Sequence, residues 1–352
     1  MKMQKRLVEK VGKQLSRRNL LKAGGVVIGC VALFNALIGS ITTNEASAAS
    51  SPIVLRLGHP NPAVALNSQP SELFGKIVEA RSNGRIKFEY FPNGTLGNAD
   101  ETVQQVRSGA IESQGYTPTS YLSTMLPYVA AMDLPFLWNG PVDILSHGKA
   151  MAMIETDIQR HGIKIIGWSD TGSRQMACTR RAIKTAEDLQ GVKWRVPPSE
   201  IYTRTWQAWG AKPVVIPMGE VLTSLQTKMI DGVGFDTDTL LKQGFTDVAK
   251  YVTISGEVYT VSPLIVNKKW FDSLPKDIQD IMIQTAQIVG DWGALNFERI
   301  KSENIQKMKT LGLTVNFLPE EGVNKLKELA KPVYEYARTK YSKEFIDLLL
   351  GK

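Results

Sequence analysis

The chain has 352 residues and a formal net charge of +8. Eight basic and only two acidic side chains fall in the first 48 positions, so the remaining 304 residues carry just +2. That balance removes the electrostatic case for a nucleic-acid partner. Two cysteines, Cys30 and Cys178, provide no disulfide framework.

The N-terminal stretch "SRRNLLKAGG" opens with Ser16, Arg17 and Arg18, and an apolar run from Ala23 to Ile41 follows. Ala46-Ser47-Ala48 then offers a small-residue cleavage site. The segment resembles a twin-arginine export signal, with leucine where phenylalanine is commoner. It implies a periplasmic mature chain from about Ala49; retention as a membrane anchor is the alternative. Cys30 lies inside the apolar run, not after it, which disfavours lipid attachment.

Beyond the signal, strand and helix patterns alternate. "PIVLRLG" (52–58) reads as a strand, "SELFGKIVEA" (71–80) as a helix with Leu73, Phe74, Ile77 and Val78 on one face, and "RIKFEYF" (85–91) as a half-buried strand. "KIIGW" (164–168), "KPVVIP" (212–217) and "SPLIVNK" (262–268) add further strands. Strands separated by helices predict mostly parallel sheets covered by helices.

The chain also repeats itself. "VQQVRSGAIES" (103–113) aligns without a gap on "LTSLQTKMIDG" (222–232), pairing Val103 with Leu222, Val106 with Leu225, Ile111 with Ile230 and Glu112 with Asp231. Each helix follows a strand ending in Pro-x-Gly, which suggests two lobes of like topology. Helical periodicity over 275–312 predicts a long helix bracing both lobes, and a later helix should break at Pro332.

No catalytic signature emerges. His59, His147 and His161 have no metal-ligand spacing, and phosphate-binding, dinucleotide and nucleophile-elbow motifs are missing. No cofactor or metal is expected. Cys178 sits beside Arg180 and Arg181, which could activate it, but no histidine is near in sequence. Binding explains more. In "GVKWRVPPSE", Arg195 lies on a short strand that Pro197 and Pro198 terminate. Arg174 follows the "KIIGWSD" strand. Two arginines emerging from neighbouring strand ends can grip one carboxylate, because guanidinium donates two parallel hydrogen bonds and keeps its charge when desolvated. The alternative is a pair of surface-paired arginines.

The segment 191–232 resembles the central signature of solute-binding proteins of tripartite ATP-independent periplasmic (TRAP) transporters. It carries Arg195-Val196-Pro197, Gly210-Ala211-Lys212-Pro213, Glu220-Val221, Leu225-Gln226-Thr227 and Ile230-Asp231-Gly232. "NGTLGNADETVQQVRSGAIE", "LPFLW" and "VAKYVT" fit in order. The resemblance implies a two-lobed α/β binding fold that closes on a small organic acid and delivers it to TRAP permease subunits. It assigns Arg195 to the ligand carboxylate and Arg174, in "TGSRQ", to an assisting role. Phe235 stands where the family often has a ligand-contacting asparagine. Asp236 then either takes over that polar contact or caps the next helix. His59, Tyr116, Met218 and Trp194 are further candidate wall residues, with plain core packing the alternative for Trp194 and Met218. Lobe I is expected over 49–172 plus 261–300, and lobe II over 173–260 plus 301–352. An exported enzyme or a ligand sensor acting on a small acid is the rival function.

Overall fold

The computed structural model describes residues 51–123, 126–138 and 147–352. The expected export signal, its cleavage site and Cys30 lie outside the described residues.

The chain starts with strand β1 (Ile53–Gly58), helix α1 (Gln69–Arg81), β2 (Ile86–Phe91), α2 (Ala99–Ser108) and β3 (Ser113–Gln114). Local chemistry sets these boundaries. Asn98 and Glu101 form a reciprocal capping box at the start of α2, and Gly109 closes it in the left-handed region at φ 80°. Helix α3 (Gly148–Arg160) leads to the eleven-residue β4 (Ile163–Ser173), followed after one residue by β5 (Gln175–Cys178). Next come β6 (Lys193–Val196), α4 (Glu200–Ala208), β7 (Lys212–Val215), α5 (Val221–Gln226), β8 (Gly232–Phe235) and α6 (Thr237–Lys242). Strands β9 (Tyr251–Ile254) and β10 (Tyr259–Asn267) precede the 35-residue α7 (Lys276–Thr310), β11 (Thr314–Phe317), α8 (Glu320–Leu329), α9 (Lys331–Tyr341) and α10 (Lys343–Leu349).

Two sheets result, ordered β2-β1-β3-β10-β4 and β11-β9-β5-β8-β6-β7. The aligned repeat reappears as matching parallel triplets, β2-β1-β3 in one and β7-β6-β8 in the other. Equivalent residues even share tasks. A Glu112 carboxylate oxygen accepts the Arg56 backbone N–H, and one from Asp231 accepts that of Lys193, both at 2.9 Å. Gly109 and its counterpart Lys228 both turn the chain at positive φ.

The sheets are mixed, and the antiparallel strands are the informative ones. β10 runs antiparallel to β3 and β4, and β5 runs antiparallel to β8 and β9. These strands carry the chain between the sheets, outward at Arg174 and back over Ser255–Val258.

Helix α7 packs on β4 and α1 beside the first sheet, and on α6 and β11 beside the second. Its approach to β4 is close because small residues meet there. A Cβ on Gly290 would overlap the Trp168 carbonyl oxygen, and one on Gly167 would fall 2.6 Å from the Ala286 Cβ. The break near Pro332 separates α8 from α9 at Ala330.

Residues 301–352, expected in lobe II, pack against elements beside both sheets. Val333, Ala337, Phe345 and Ile346 share an apolar cluster with Val103, Ile158 and Ile265 of the first sheet's side and with Ile201 of α4, while β11 joins the second sheet. An amphipathic helix declares that it has a partner face but not which sheet provides it.

Candidate functional site

Arg174 is the one residue between β4 and β5. Its backbone N–H donates to the Val258 carbonyl at 2.8 Å, and its Nη2 donates to the Gly234 carbonyl. The guanidinium lies 4.9 Å from the Tyr202 ring centre and 5.0 Å from that of Phe235. Burial alone would lower its pKa, but Tyr202, Glu257, Tyr121 and Asp133 outweigh that and hold it above its ordinary value.

Arg195 occupies the third position of β6. Trp194 and Val196 point into the apolar cluster beneath the sheet, so strand alternation sends Arg195 to the opposite face. Its Nε donates to the Ile216 carbonyl at 3.0 Å, and its guanidinium lies 5.1 Å from the Phe235 ring centre. Phe235 is thus shared by both arginines. Arg195 is only 1% exposed, yet Nη1 and Nη2 have no hydrogen-bond partner. Burial lowers its pKa; the nearby Tyr121 phenol opposes this and the Arg174 guanidinium adds to it. Guanidinium stays protonated regardless, so the site holds a buried cation with two nitrogens awaiting an acceptor.

Beside these side chains lies a cavity of about 30 Å³, lined among others by Arg174, Asn67, Tyr121, Met218, Phe235 and Asp236. Asn67 Oδ1 and Thr260 Oγ, both from lining residues, are buried and unpartnered. A broader, open concavity of about 900 Å³ between Arg107 and Trp270 is built differently, since none of its lining residues holds a buried unpartnered side-chain atom.

The candidate residues divide accordingly. Arg174, Met218, Phe235 and Asp236 line the cavity, with Arg195 against Phe235. Asp236 caps α6: Oδ1 accepts from the backbone N–H groups of Asp238 and Thr239 at 3.0 and 2.9 Å, and Oδ2 accepts from the Thr239 hydroxyl at 2.6 Å. Burial raises its pKa against those bonds.

Trp194, Tyr116 and His59 are not among the residues lining this cavity. Trp194 stacks on Trp206 at 4.1 Å in the core beneath the sheet. Tyr116 reaches α7 and donates to the Ala286 carbonyl at 2.6 Å. His59 is fully buried and lies 3.2 Å from the Tyr116 carbonyl through Nε2, while Nδ1 accepts the Asn61 N–H at 3.1 Å. That pattern assigns the proton to Nε2. Burial pulls the His59 pKa down to about 4. Its task is to hold the loop that carries Asn61 and Asn67. Cys178 is buried in β5.

Asn61, Asn67, Tyr121, Tyr202, Glu257 and Thr260 escaped the sequence reading. Asn61 and Asn67 left a signal, since polar residues just after a strand's C-terminal end are where α/β sheets place ligand contacts. Tyr202 and Glu257 left none, because only folding brings them to Arg174.

The family model for bacterial extracellular solute-binding proteins, family 7, matches residues 57–340. The chain belongs to this family. It is therefore a solute-binding protein of transport and not an enzyme, and no covalent chemistry is required of the site. It is similar to the 2,3-diketo-L-gulonate-binding periplasmic protein YiaO of Escherichia coli, 26% identical over 286 residues, covering 81% of this chain and 86% of that one. Its fold matches the sugar acid binding protein DctPAm of Advenella mimigardefordensis in complex with galactonate, at TM-score 0.80 and 24% identity over 85% of this chain and 97% of that one. A TRAP periplasmic solute-binding protein from Desulfovibrio salexigens with bound orotic acid gives TM-score 0.79 and 26% identity over 84% and 97%.

Proposed function

We propose that this solute-binding protein captures a small organic acid by its carboxylate and delivers it to the membrane subunits of a TRAP permease. The observation that carries this reading is Arg195, a buried guanidinium whose Nη1 and Nη2 have no acceptor in a site that also contains Arg174. A carboxylate meets both nitrogens bidentately and offsets the cost of their burial. Similarity to a diketogulonate-binding protein and to structures holding galactonate and orotate supports an acid ligand. Phe235 and Met218 would give the apolar wall, and Asn67, Thr260 and Asp236 the polar contacts.

A cavity of about 30 Å³ is far below the several hundred Å³ of ordinary small-molecule pockets, so loading requires the two sheets to separate. The hinge would comprise Arg174, the Ser255–Val258 return and α7. The first lobe then contains β1–β4, β10 and the helices α9 and α10, and the second β5–β9 and β11. Binding would select the closed form, which the permease subunits recognise. Export on the twin-arginine-type segment would place the protein in the periplasm.

The test is calorimetric titration and thermal shift of the mature protein with mono- and dicarboxylates, uronates, aldonates and oxo acids. A ligand at 100 times its Kd stabilises by roughly 2.7 kcal/mol. Saturable binding of an acid that is returned unchanged, lost in Arg195→Ala, is the expected result. Equal binding by Arg195→Ala, or no response to any acid, would overturn the reading.

A further inference from the structure

The return crossing carries a second charged residue. Glu257 is 1% exposed; its Oε2 accepts the Ser255 hydroxyl, while Oε1 is buried without a partner. Its position relative to Arg174 follows from Gly234. A Cβ placed on that glycine would lie 3.1 Å from Glu257 Oε1, 3.6 Å from Arg174 Nε and 3.8 Å from Trp194 Nε1. Carboxylate and guanidinium therefore converge over one bare Cα, next to the carbonyl that Arg174 Nη2 already holds. The backbone fixes this approach, because the Arg174 N–H bonds to Val258, the residue after Glu257.

Charge balance then limits the ligand. Arg174 is the only cation among the described residues lining the cavity, and the Arg195 guanidinium lies 5.1 Å from the ring centre of Phe235, another lining residue. Burial raises the Glu257 pKa, while the Ser255 hydroxyl and the Arg174 charge pull it down; in its ionised form Glu257 opposes one of these two charges. Asp236, the only acidic lining residue, has its oxygens engaged by the start of α6. Among the described residues, Asp133 is the remaining buried acid acting on Arg174, and it adds no positive charge. No more than one positive charge is left uncompensated, and it resides on the arginine whose two Nη groups are unpartnered.

We propose that Glu257 is a positioning residue that balances Arg174, so that the site accepts a monocarboxylate in preference to the dicarboxylate of the same skeleton. This rests on the carboxylate-binding reading above and narrows its ligand class. A second carboxylate would find no free cation and would meet Asp236. Removal of Glu257's charge releases Arg174 for it.

The experiment compares matched acids that differ only in a terminal CH2OH or carboxylate: glycerate and tartronate, threonate and tartrate, galactonate and galactarate. Affinities are measured calorimetrically for the wild type, Glu257→Gln and Glu257→Asp. The wild type should prefer the monoacid of whichever pair binds by at least about tenfold, a conservative figure for one unit charge opposed at this range. Glu257→Gln should shrink that ratio about tenfold, and Glu257→Asp, which keeps the charge, should retain it. A purely structural glutamate would weaken both acids equally and leave the ratio alone, which would overturn the proposal. Should Glu257→Gln not fold, the wild-type ratio still decides, since equal or tighter diacid binding sinks the idea. No binding of any acid by the wild type would instead remove the carboxylate reading and this inference with it.

Discussion

The backbone N–H of Arg174 donates to the carbonyl of Val258 at 2.8 Å, and this bond ties together the outward and return passages of the chain between its two sheets. The residue that presents a guanidinium to the cavity thus also lies at the crossing proposed as the hinge. On the proposed function, ligand contact and lobe geometry would meet at this position, and closure would be sensitive to what Arg174 touches.

Arg195→Met should separate stability from function. The substitution removes a buried cation with two unpartnered nitrogens and introduces an apolar side chain that fills much of the same space. Replacing buried charge in this way is often stabilising by about 1–3 kcal/mol. Urea unfolding without added ligand should show a stability equal to or above wild type. Acid affinity should fall at least about 100-fold, the loss of a bidentate charged contact. A less stable variant that still binds would contradict both halves.

Phe235→Leu keeps an apolar side chain but removes the ring that both guanidiniums approach at 5.0 and 5.1 Å. Each desolvated cation–π contact contributes about 1–2 kcal/mol. An affinity loss of about tenfold or more is expected, together with a lower Tm because Phe235 is buried against Phe245, as read by calorimetry and thermal melting. Unchanged affinity would mean the ring only fills space.

Gly290→Ala tests how the long helix is seated. The new Cβ would overlap the Trp168 carbonyl oxygen of β4, which is backbone and cannot swing aside. Overpacking of this kind costs about 1–3 kcal/mol, to be read as a lower urea midpoint. The exposed glycine Gly148, where an added methyl group would meet nothing within 4 Å, provides the neutral control.

Two buried groups give the pH dependence opposite signs. His59 has a folded pKa of about 4 against an ordinary 6.5, so its neutral form adds stability above pH 6.5 that is lost as pH falls towards 4. Asp133 is pushed by burial from 3.8 up to about 7, so its contribution is present below 3.8 and is lost as pH rises towards 7. Each effect is on the order of 3–4 kcal/mol, and they oppose each other across the shared window. The two therefore offset each other between pH 4 and 7, while Asp236 and Glu257, whose pKa burial also raises, act in the same direction as Asp133. Asp133→Asn should become steadily more stable relative to wild type across that range, whereas His59→Gln should become steadily less so. Parallel profiles for all three proteins would refute the assignment.

Much of this was legible in local pattern. Alternation and helical periodicity located β1, α1, β2 and the 35-residue α7 within a few residues. The gapless match of 103–113 to 222–232 disclosed the repeated triplet, and Pro197-Pro198 marked where β6 would stop with Arg195 near its end. Such features are legible because capping, turn chemistry and side-chain alternation act over a few residues. The strand's alternation, applied one step further, also separates Trp194 from Arg195.

Only tertiary structure decided the rest. β5 and β10 look like any other strand in sequence, yet they run antiparallel and carry the chain between sheets, because strand direction is set by long-range pairing. The C-terminal helices α9 and α10 share an apolar cluster with Val103, Ile158 and Ile265 of the first sheet's side, and with Ile201 of α4, although they follow a strand of the second. Glu257 lies 83 positions from Arg174 in the chain and beside it in space. The sequence by itself determined the elements, the repeat and the arginine on its proline-ended strand. Which charges face one another, and hence what the cavity can hold, was decided by folding, because electrostatic balance depends on distance in space and not along the chain.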